Sequence, residues 1–449
     1  MPAPSPVTTS STAAPPQPSF AQALRFWLKL GCVSFGGPAG QIALMHDELV
    51  RRRRWISERR FLHALNYCML LPGPEAQQLA TYLGWLLHRT RGGIAAGVLF
   101  IAPSLVLLVL LSWLYVTQGQ QPLVAGVFAA IKPAVVAIVA YAAWRIGGRA
   151  LHGAWLWAIA LGAFVASFFL AFPWIVAGAA LLGVVGGRLV PAQFSAQGHG
   201  VAAQAHAPAL IDDDTPIPAH AHQDRAHLAR VLGAGAALWA VPLLVLMLAF
   251  GWAGTLTQMG WFLTQAALLS FGGAYAVLPF LMQGAVQHYA WLSAAQMIDG
   301  LALGETTPGP LIMIVAFVGF VGAWQMAPLG EEHRLAAGVM AAGVATWFTF
   351  LPSFVFILAG GPVVEATRGA LAFTAPLTAI TAAVVGVILK LAVFLAEQVF
   401  WPQGLHAPTD ARAWLIAAAA LAALVLARRS VIEVVLAAAA LGALLVVLG

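Results

Sequence analysis

Two carboxylates and a set of glycine–proline breaks stand out in a chain that otherwise carries little charge. Glu75 directly follows Pro74 in Leu71-Pro72-Gly73-Pro74, and Glu305 lies three residues before Pro308 in Thr306-Thr307-Pro308-Gly309-Pro310. Two more breaks, Gly36-Gly37-Pro38 and Gly272-Gly273, also interrupt apolar sequence. A carboxylate inside an apolar segment is expensive and marks an ion or proton path. A helix that begins just after a glycine or proline presents free N–H groups and the positive end of its dipole, which together suit an anion. Four such starts converging would suit a tetrahedral oxyanion. The candidate anion contacts in the first half are Lys29, Gly36, Gly37, Pro38, Gln41, Pro72, Gly73, Pro74 and Gln78. In the second half they are Gly272, Gly273, Thr307, Pro308, Gly309 and Pro310. Glu75 and Glu305 are the candidate proton-coupling groups, with a simple dipole partner at the helix N-terminus as the alternative for Glu75. Gln77, Thr81, Tyr82, Tyr275 and Thr306 add hydrogen-bonding groups near the breaks. Lys29 either snorkels to the surface or reaches the anion. Lys132 and Lys390, in long apolar stretches, are weaker anion candidates, and Asp299 reads as a surface group.

The elements that must carry these residues are set by composition. Of 449 residues, 61% are hydrophobic and 8% are charged, against about 25% charged in soluble proteins. No single soluble core absorbs that much apolar sequence. A bilayer does, at ~20 apolar residues per crossing. Residues 97–116, 154–182, 231–250, 335–359 and 413–427 each read as such a crossing. The net charge of +6 is gathered in short loops, as the positive-inside rule demands. No basic stripe interleaved with aromatics suggests nucleic acid. Cys32 and Cys68 lie in apolar segments and read as small buried hydrophobes.

Sliding the chain on itself by 236 positions (270 − 34) superimposes three landmarks without a gap. Ser34-Phe35-Gly36-Gly37 falls on Ser270-Phe271-Gly272-Gly273, Trp55-Ile56-Ser57 on Trp291-Leu292-Ser293, and Pro72-Gly73-Pro74 on Pro308-Gly309-Pro310. Pro103-Ser104 matches Pro352-Ser353 after an insertion. Glycine and proline are common in membrane helices as mere kinks; breaks that recur in register argue for more.

The chain therefore divides into a tail (1–19), a first transporter repeat (20–190), a linker (191–230), an extra helix (231–250) and a second repeat (251–449). The tail, rich in Pro, Ser, Thr and Ala, reads as disordered and cytoplasmic and lacks the basic-then-apolar pattern of a cleaved signal. The linker holds His199, His206, His220, His222 and His227 and Asp212-Asp213-Asp214 without metal-ligand spacing. It reads as a solvated cytoplasmic connection rather than a metal site. Residues 45–65 contain Arg51, Arg52, Arg53, Arg54, Arg59 and Arg60, whereas the equivalent stretch 281–301 contains neither Lys nor Arg. The first loop is expected in the cytoplasm and the second outside, with the extra helix inverting the second half. Within the first repeat, 20–33, 39–50, 57–70 and 75–88 are too short to cross: about 14 helical residues reach ~21 Å of a ~30 Å core. Proline removes a backbone donor and glycine admits positive φ, so these segments pair into hairpins meeting near the midplane. The expected fold is an all-α, polytopic integral membrane protein with two inverted repeats of broken, re-entrant hairpins, a transporter architecture.

At this point the motifs resemble a known family. Phe35-Gly36-Gly37-Pro38 with Gln41, Leu71-Pro72-Gly73-Pro74-Glu75, and then Gln78, Thr81, Tyr82 and Gly84 look like the signature of chromate ion transporters. Ser270-Phe271-Gly272-Gly273, Thr307-Pro308-Gly309-Pro310, Phe317 and Gly319-Phe320 are similar to its second-domain form. The resemblance covers both halves, as in a two-domain, long-chain member. The resemblance implies export of chromate across the bacterial inner membrane, driven by the proton gradient and giving chromate resistance, with sulfate as the natural competitor and no cofactor. Other readings are a sulfate or other oxyanion transporter on the same fold, a passive anion channel, and an intramembrane enzyme. For the last there is no His-Glu-x-x-His, Gly-x-Ser-x-Gly or paired intramembrane aspartate. The partners expected are the chromate or sulfate anion, protons and the lipid bilayer, with a homodimer as the candidate assembly.

Overall fold

A computed structural model describes residues 15–35, 37–194, 208–216, 219–221, 224–271, 274–366, 374–404 and 406–448. Gly36, Gly272 and Gly273, the linker histidines His199, His206 and His222, and tail residues 1–14 lie outside the described residues. In chain order the helices are α1 (Phe20–Val33), α2 (Gly37–His46), α3 (Glu58–Leu70), α4 (Glu75–Gln118), α5 (Pro122–Ala150), α6 (Ala154–Ala166), α7 (Phe172–Leu189), the short α8 (Pro191–Phe194) and α9 (Arg225–Phe250). They continue as α10 (Thr255–Leu269), α11 (Ala274–Met282), α12 (Ala294–Thr306), α13 (Ile314–Met326), α14 (Arg334–Ala366), α15 (Thr374–Phe400), α16 (Ala411–Val425) and α17 (Val431–Leu448). Among the described residues, seven helices are long and apolar enough to cross a membrane. The chain is an all-helical, multi-pass membrane protein.

The half-length helices form where the breaks place them. Ser19 and Ser293 start α1 and α12 with reciprocal capping boxes, and the Ser57 side chain accepts from Arg60 N at the start of α3. Each cap satisfies an orphan donor and is worth ~1 kcal/mol. The 44-residue α4 is two helices in one run: His88 (φ −138°) and Arg89 (φ 56°) leave helical geometry. The expected segment 75–88 is thus a separate arm before the long helix.

The 236-residue register recurs in detail. A π-helical turn follows α2 at Asp47–Arg52 and α11 at Gln283–His288. Arg54 (φ 53°) and Ala290 (φ 51°) make the same left-handed step. Trp55 N donates to Leu49 O, and Trp291 N donates to Ala285 O, both at 2.8 Å. Two loops of very different charge therefore share one backbone. In the first, Arg52 pairs with Asp47 at 2.9 Å and Arg53 with Glu48 at 3.3 Å.

Two expectations change. The apolar run 154–182 is not one crossing: it turns at 167–171, where Ser167 Oγ caps back onto Phe164 O and Pro173 opens α7. Hydropathy cannot see such a turn, because every residue in it but Ser167 is apolar. Nor does the described part of the linker float in solvent. Leu210 N donates to Arg54 O (2.9 Å), Ile211 N to Trp55 O (3.0 Å) and Ser57 N to Ile211 O (3.0 Å). Ser57 Oγ donates to Asp213 at 2.6 Å. Farther along, His220 Nε2 contacts Trp85 O at 3.1 Å, and burial holds the imidazole's proton affinity below its ordinary value. The segment is a strap across the arginine-rich end of the first half.

α4 and α14 lie together at the centre, with α1 on α4 and α10 and α13 on α14. α5, α15, α16 and α17 pack as a group, with α6 and α7 on α15. The central layer is dense: Trp27, Trp85, Trp291, Phe317 and Phe320 are all essentially buried.

Candidate functional site

The Pro-Gly-Pro breaks of the two halves are each held by the other half. Gly73 N donates to Ser270 O at 3.0 Å, and Gly309 N donates to Ser34 O at 2.8 Å. These are the same bond under the 236-residue shift, made twice. Gly73 (φ 126°) and Gly309 (φ 107°) occupy backbone space that other residues rarely adopt. There is also no room for a side chain. A Cβ on Gly73 would meet Ser353 Oγ, and one on Gly309 would come within 2.7 Å of Ser104 Cβ. Each break thus sits between two serines of the opposite half, one contributing a carbonyl and the other a side chain. The glycine N–H groups are committed to this cradle and are not free donors.

Beside each break lie buried amides and hydroxyls. Gln41 Nε2 donates to Gly309 O at 2.5 Å and reaches Ser34 O at 3.3 Å. Gln78 Nε2 donates to Pro72 O at 2.8 Å and reaches Ser353 Oγ at 3.4 Å. Gln77 donates to Thr81 Oγ1 at 3.0 Å. Ser34, Gln41, Gln77, Gln78 and Ser104 are fully buried, yet Ser34 Oγ, Ser104 Oγ and the Oε1 atoms of all three glutamines have no partner. An unmet buried polar atom costs ~1–3 kcal/mol, so several at one place mark a site that a ligand or water completes.

Glu75 opens α4 beside the first break. Its N-cap, Pro74, offers no side chain to the first-turn N–H groups, and Proline 74 itself is buried. The first-turn N–H groups of α4 are therefore without a side-chain cap. Among the described residues no side chain pairs with Glu75. Glu305 differs: Tyr275 OH donates to its Oε1 at 2.6 Å. Thr307 is buried and bonds back to Gly304 O, while Pro308 and Pro310 are buried beside Gly309. Gly37 and Pro38 are half-buried at the start of α2.

The lysines are not gathered here. Lys29 is on the exposed face of α1. Lys132 Nζ lies 3.4 Å from Asp299, and Lys390 sits over the Phe168 ring at 5.6 Å. Asp299 is not a surface group: it is 3% exposed. Ser34, Ser104, Ser270 and Ser353 were visible in the sequence as repeat landmarks, but nothing local marked them as neighbours of the opposite half's glycines. Among the described residues no cluster of three or more metal-ligating side chains exists.

These polar groups are unevenly divided. Gln41, Gln77 and Gln78 have Val277, Met313 and Ile314 at the equivalent positions of the second half, and Glu75 has Leu311. The buried amides at the breaks thus all come from the first half, while both halves contribute serines.

Comparison with known proteins agrees with this duplicated arrangement. The family model described as Chromate transporter matches residues 21–184 and 257–443, one stretch in each half. A chromate transport protein of Pseudomonas aeruginosa is 34% identical over 398 residues, covering 88% of this chain and 85% of that protein. One from Cupriavidus metallidurans is 29% identical over 398 residues, covering 88% and 87%. An uncharacterized transporter of Methanocaldococcus jannaschii is 24% identical over 387 residues, covering 86% of each. No solved structure matches the chain.

Proposed function

The chain belongs to the chromate transporter family, and on that premise we propose that it is a secondary transporter exporting chromate across the bacterial inner membrane in exchange for protons. The observation that carries this reading is the uncapped start of α4 at Glu75, with the buried Gln77 and Gln78 of its first turn, and Gln41 at the second break, all carrying unmet polar atoms. A tetrahedral dianion takes several N–H and O–H donors at once, and glutamine side chains turn either end toward it. The free N–H groups of the first turn supply the positive end. Pro72, Gly73, Pro74, Thr307, Pro308, Gly309 and Pro310 hold that geometry, and Glu75 and Glu305 are the groups proposed to carry protons. Gln41 and Gln78 are the proposed direct contacts, and Lys29 is a contact only if the exposed face of α1 borders the anion's route.

Chromate accumulation in everted membrane vesicles tests the function. Accumulation is expected on energisation, reduced by a protonophore and by excess sulfate. Chromate flux unchanged when the pH gradient is collapsed at fixed membrane potential would make the protein a passive channel. Accumulation of sulfate but not chromate would reassign the substrate.

The same reading gives the two halves opposite orientations, with the Arg51–Arg54 loop in the cytoplasm and the Trp291 loop outside. Single cysteines introduced as Arg53→Cys and Ala290→Cys are expected to react with an impermeant maleimide from opposite sides of the membrane. Reaction of both from one side would end the inverted arrangement and leave the family assignment standing.

A further inference from the structure

Far from the breaks, two ion pairs are unexplained by anion binding, one buried on both sides and one joining a half-buried lysine to a buried aspartate. Arg60 Nη1 lies 2.8 Å from Glu365 Oε2, with the two side chains 6% and 3% exposed. Tyr82 OH donates to the other oxygen of Glu365 at 2.7 Å. Lys132 Nζ lies 3.4 Å from Asp299 Oδ2, and Tyr115 OH donates to the same oxygen at 2.9 Å. Asp299 Oδ1 is buried without a partner. Buried ion pairs add little net stability over apolar packing, while losing one partner is costly. Such pairs are well suited to switching between arrangements and poorly suited to simple reinforcement.

Their positions are related. α3 and α12 are equivalent under the 236-residue shift, which carries His63 onto Asp299 (299 − 63). The Pro103-Ser104 and Pro352-Ser353 match carries Tyr115 onto Val364 (364 − 115 = 352 − 103). His63 Nε2 contacts Val364 O at 3.2 Å, and Asp299 contacts Tyr115. One contact between a hairpin helix and the opposite half's long helix is therefore made twice, each time beside an ion pair. Each hairpin helix runs from this contact at its outer end to a Pro-Gly-Pro break at its inner end. The length between, roughly ten residues or ~15 Å, is half a bilayer core.

We infer that the Arg60–Glu365 and Lys132–Asp299 pairs are the two gates of the transport cycle, each closing one end of the path to the breaks. This rests on the transporter reading above. With both pairs formed, the structure is closed at both ends. Opening one end requires α3 to part from α14, or α12 to part from α4 and α5. Tyr82 lies on the arm of α4 before the His88–Arg89 break and Tyr115 on the long helix after it, so the two stretches of α4 touch one gate each and the break joins them. The gates differ in one respect: Arg60 also donates to Asp212 O (3.1 Å) and Thr215 O (2.7 Å) of the linker strap. The strap backs the first gate, and no described segment backs the second in this way.

Thiol labelling tests this without relying on transport. Cys68 is buried one turn before the first break, its carbonyl accepting from Leu71 N. Its equivalent is Gly304 (304 − 68), where an added Cβ meets nothing closer than 3.6 Å. The two reporters are native Cys68 in a Cys32→Ser background, and Gly304→Cys with both native cysteines replaced by serine. With both gates intact, each reporter should react slowly with an impermeant maleimide from either side. Arg60→Gln or Glu365→Gln should speed Cys68 labelling at least about tenfold, the shift from losing ~1.4 kcal/mol of closed-state preference. The rise should come only from the side that labels Arg53→Cys. Lys132→Gln or Asp299→Asn should speed Gly304→Cys labelling only from the side that labels Ala290→Cys. The swapped pair Arg60→Glu with Glu365→Arg should restore protection, which a merely unfolded variant cannot do. Unchanged labelling in the single variants, a rise from both sides, or a swapped pair as reactive as the single variants would overturn the gates. Failure of chromate transport alone would leave them standing.

Discussion

Gly73→Leu and Gly309→Leu should each abolish transport, to below about one-hundredth of the parent, in protein that still inserts into the membrane. Both glycines hold positive φ, at 126° and 107°. A residue with a Cβ forced into such space costs roughly 1–2 kcal/mol. Overpacking adds typically ~1–3 kcal/mol, because a Cβ at 73 meets Ser353 Oγ and Gln78 Nε2, and one at 309 meets Ser104. Neither sum exceeds the ~5–15 kcal/mol that holds a folded domain together, so the chain should survive. The breaks should not survive in place. Gly73 N–Ser270 O and Gly309 N–Ser34 O join the halves at their centre, and displacing a binding geometry by ~1 Å costs about 100-fold. Alanine at either site keeps the φ penalty with less overpacking and should retain partial transport. The measurement is chromate flux normalised to protein in the membrane. Parent-like flux in both leucine variants would reduce these glycines to ordinary kinks.

Glu75→Gln should leave chromate binding largely intact and remove the response of transport to an imposed pH gradient. A dianion leaving a negative interior is already driven by the membrane potential, at ~2.3 kcal/mol per charge per 100 mV and roughly twice that for two charges. Using the pH gradient as well requires a group whose protonation is linked to occupancy of the site. A carboxylate and a dianion at one helix N-terminus repel each other, so charge on one disfavours the other and the two equilibria become coupled. Glu75 sits at that N-terminus with no described side chain bound to it, whereas Glu305 is held by Tyr275 at 2.6 Å. The neutral amide keeps the shape and removes the titration. Flux is measured at fixed membrane potential while the pH gradient is varied. A Glu75→Gln protein that follows the gradient as the parent does would pass the role to Glu305.

The sequence by itself determined the membrane class, the duplication and the breaks. Each is written in local chemistry. Apolar runs report burial in lipid, and a Gly or Pro at a fixed register reports where the backbone must turn. For that reason helix ends recur 236 residues apart, down to Arg54 and Ala290 sharing one left-handed step. Tertiary structure decided everything that depends on how the halves meet. It turned Gly73 and Gly309 from presumed ligand-facing backbone into the joints between halves, and placed Ser104 and Ser353 against them. It buried Asp299 against Lys132 and joined Arg60 to Glu365, a residue 305 positions away. It also folded 154–182 into two helices and laid residues 208–216 on the arginine loop. The physical reason is range. A turn is dictated by the few residues that make it, whereas a buried charge is stable only beside a partner that the fold brings to it, and no local pattern names that partner.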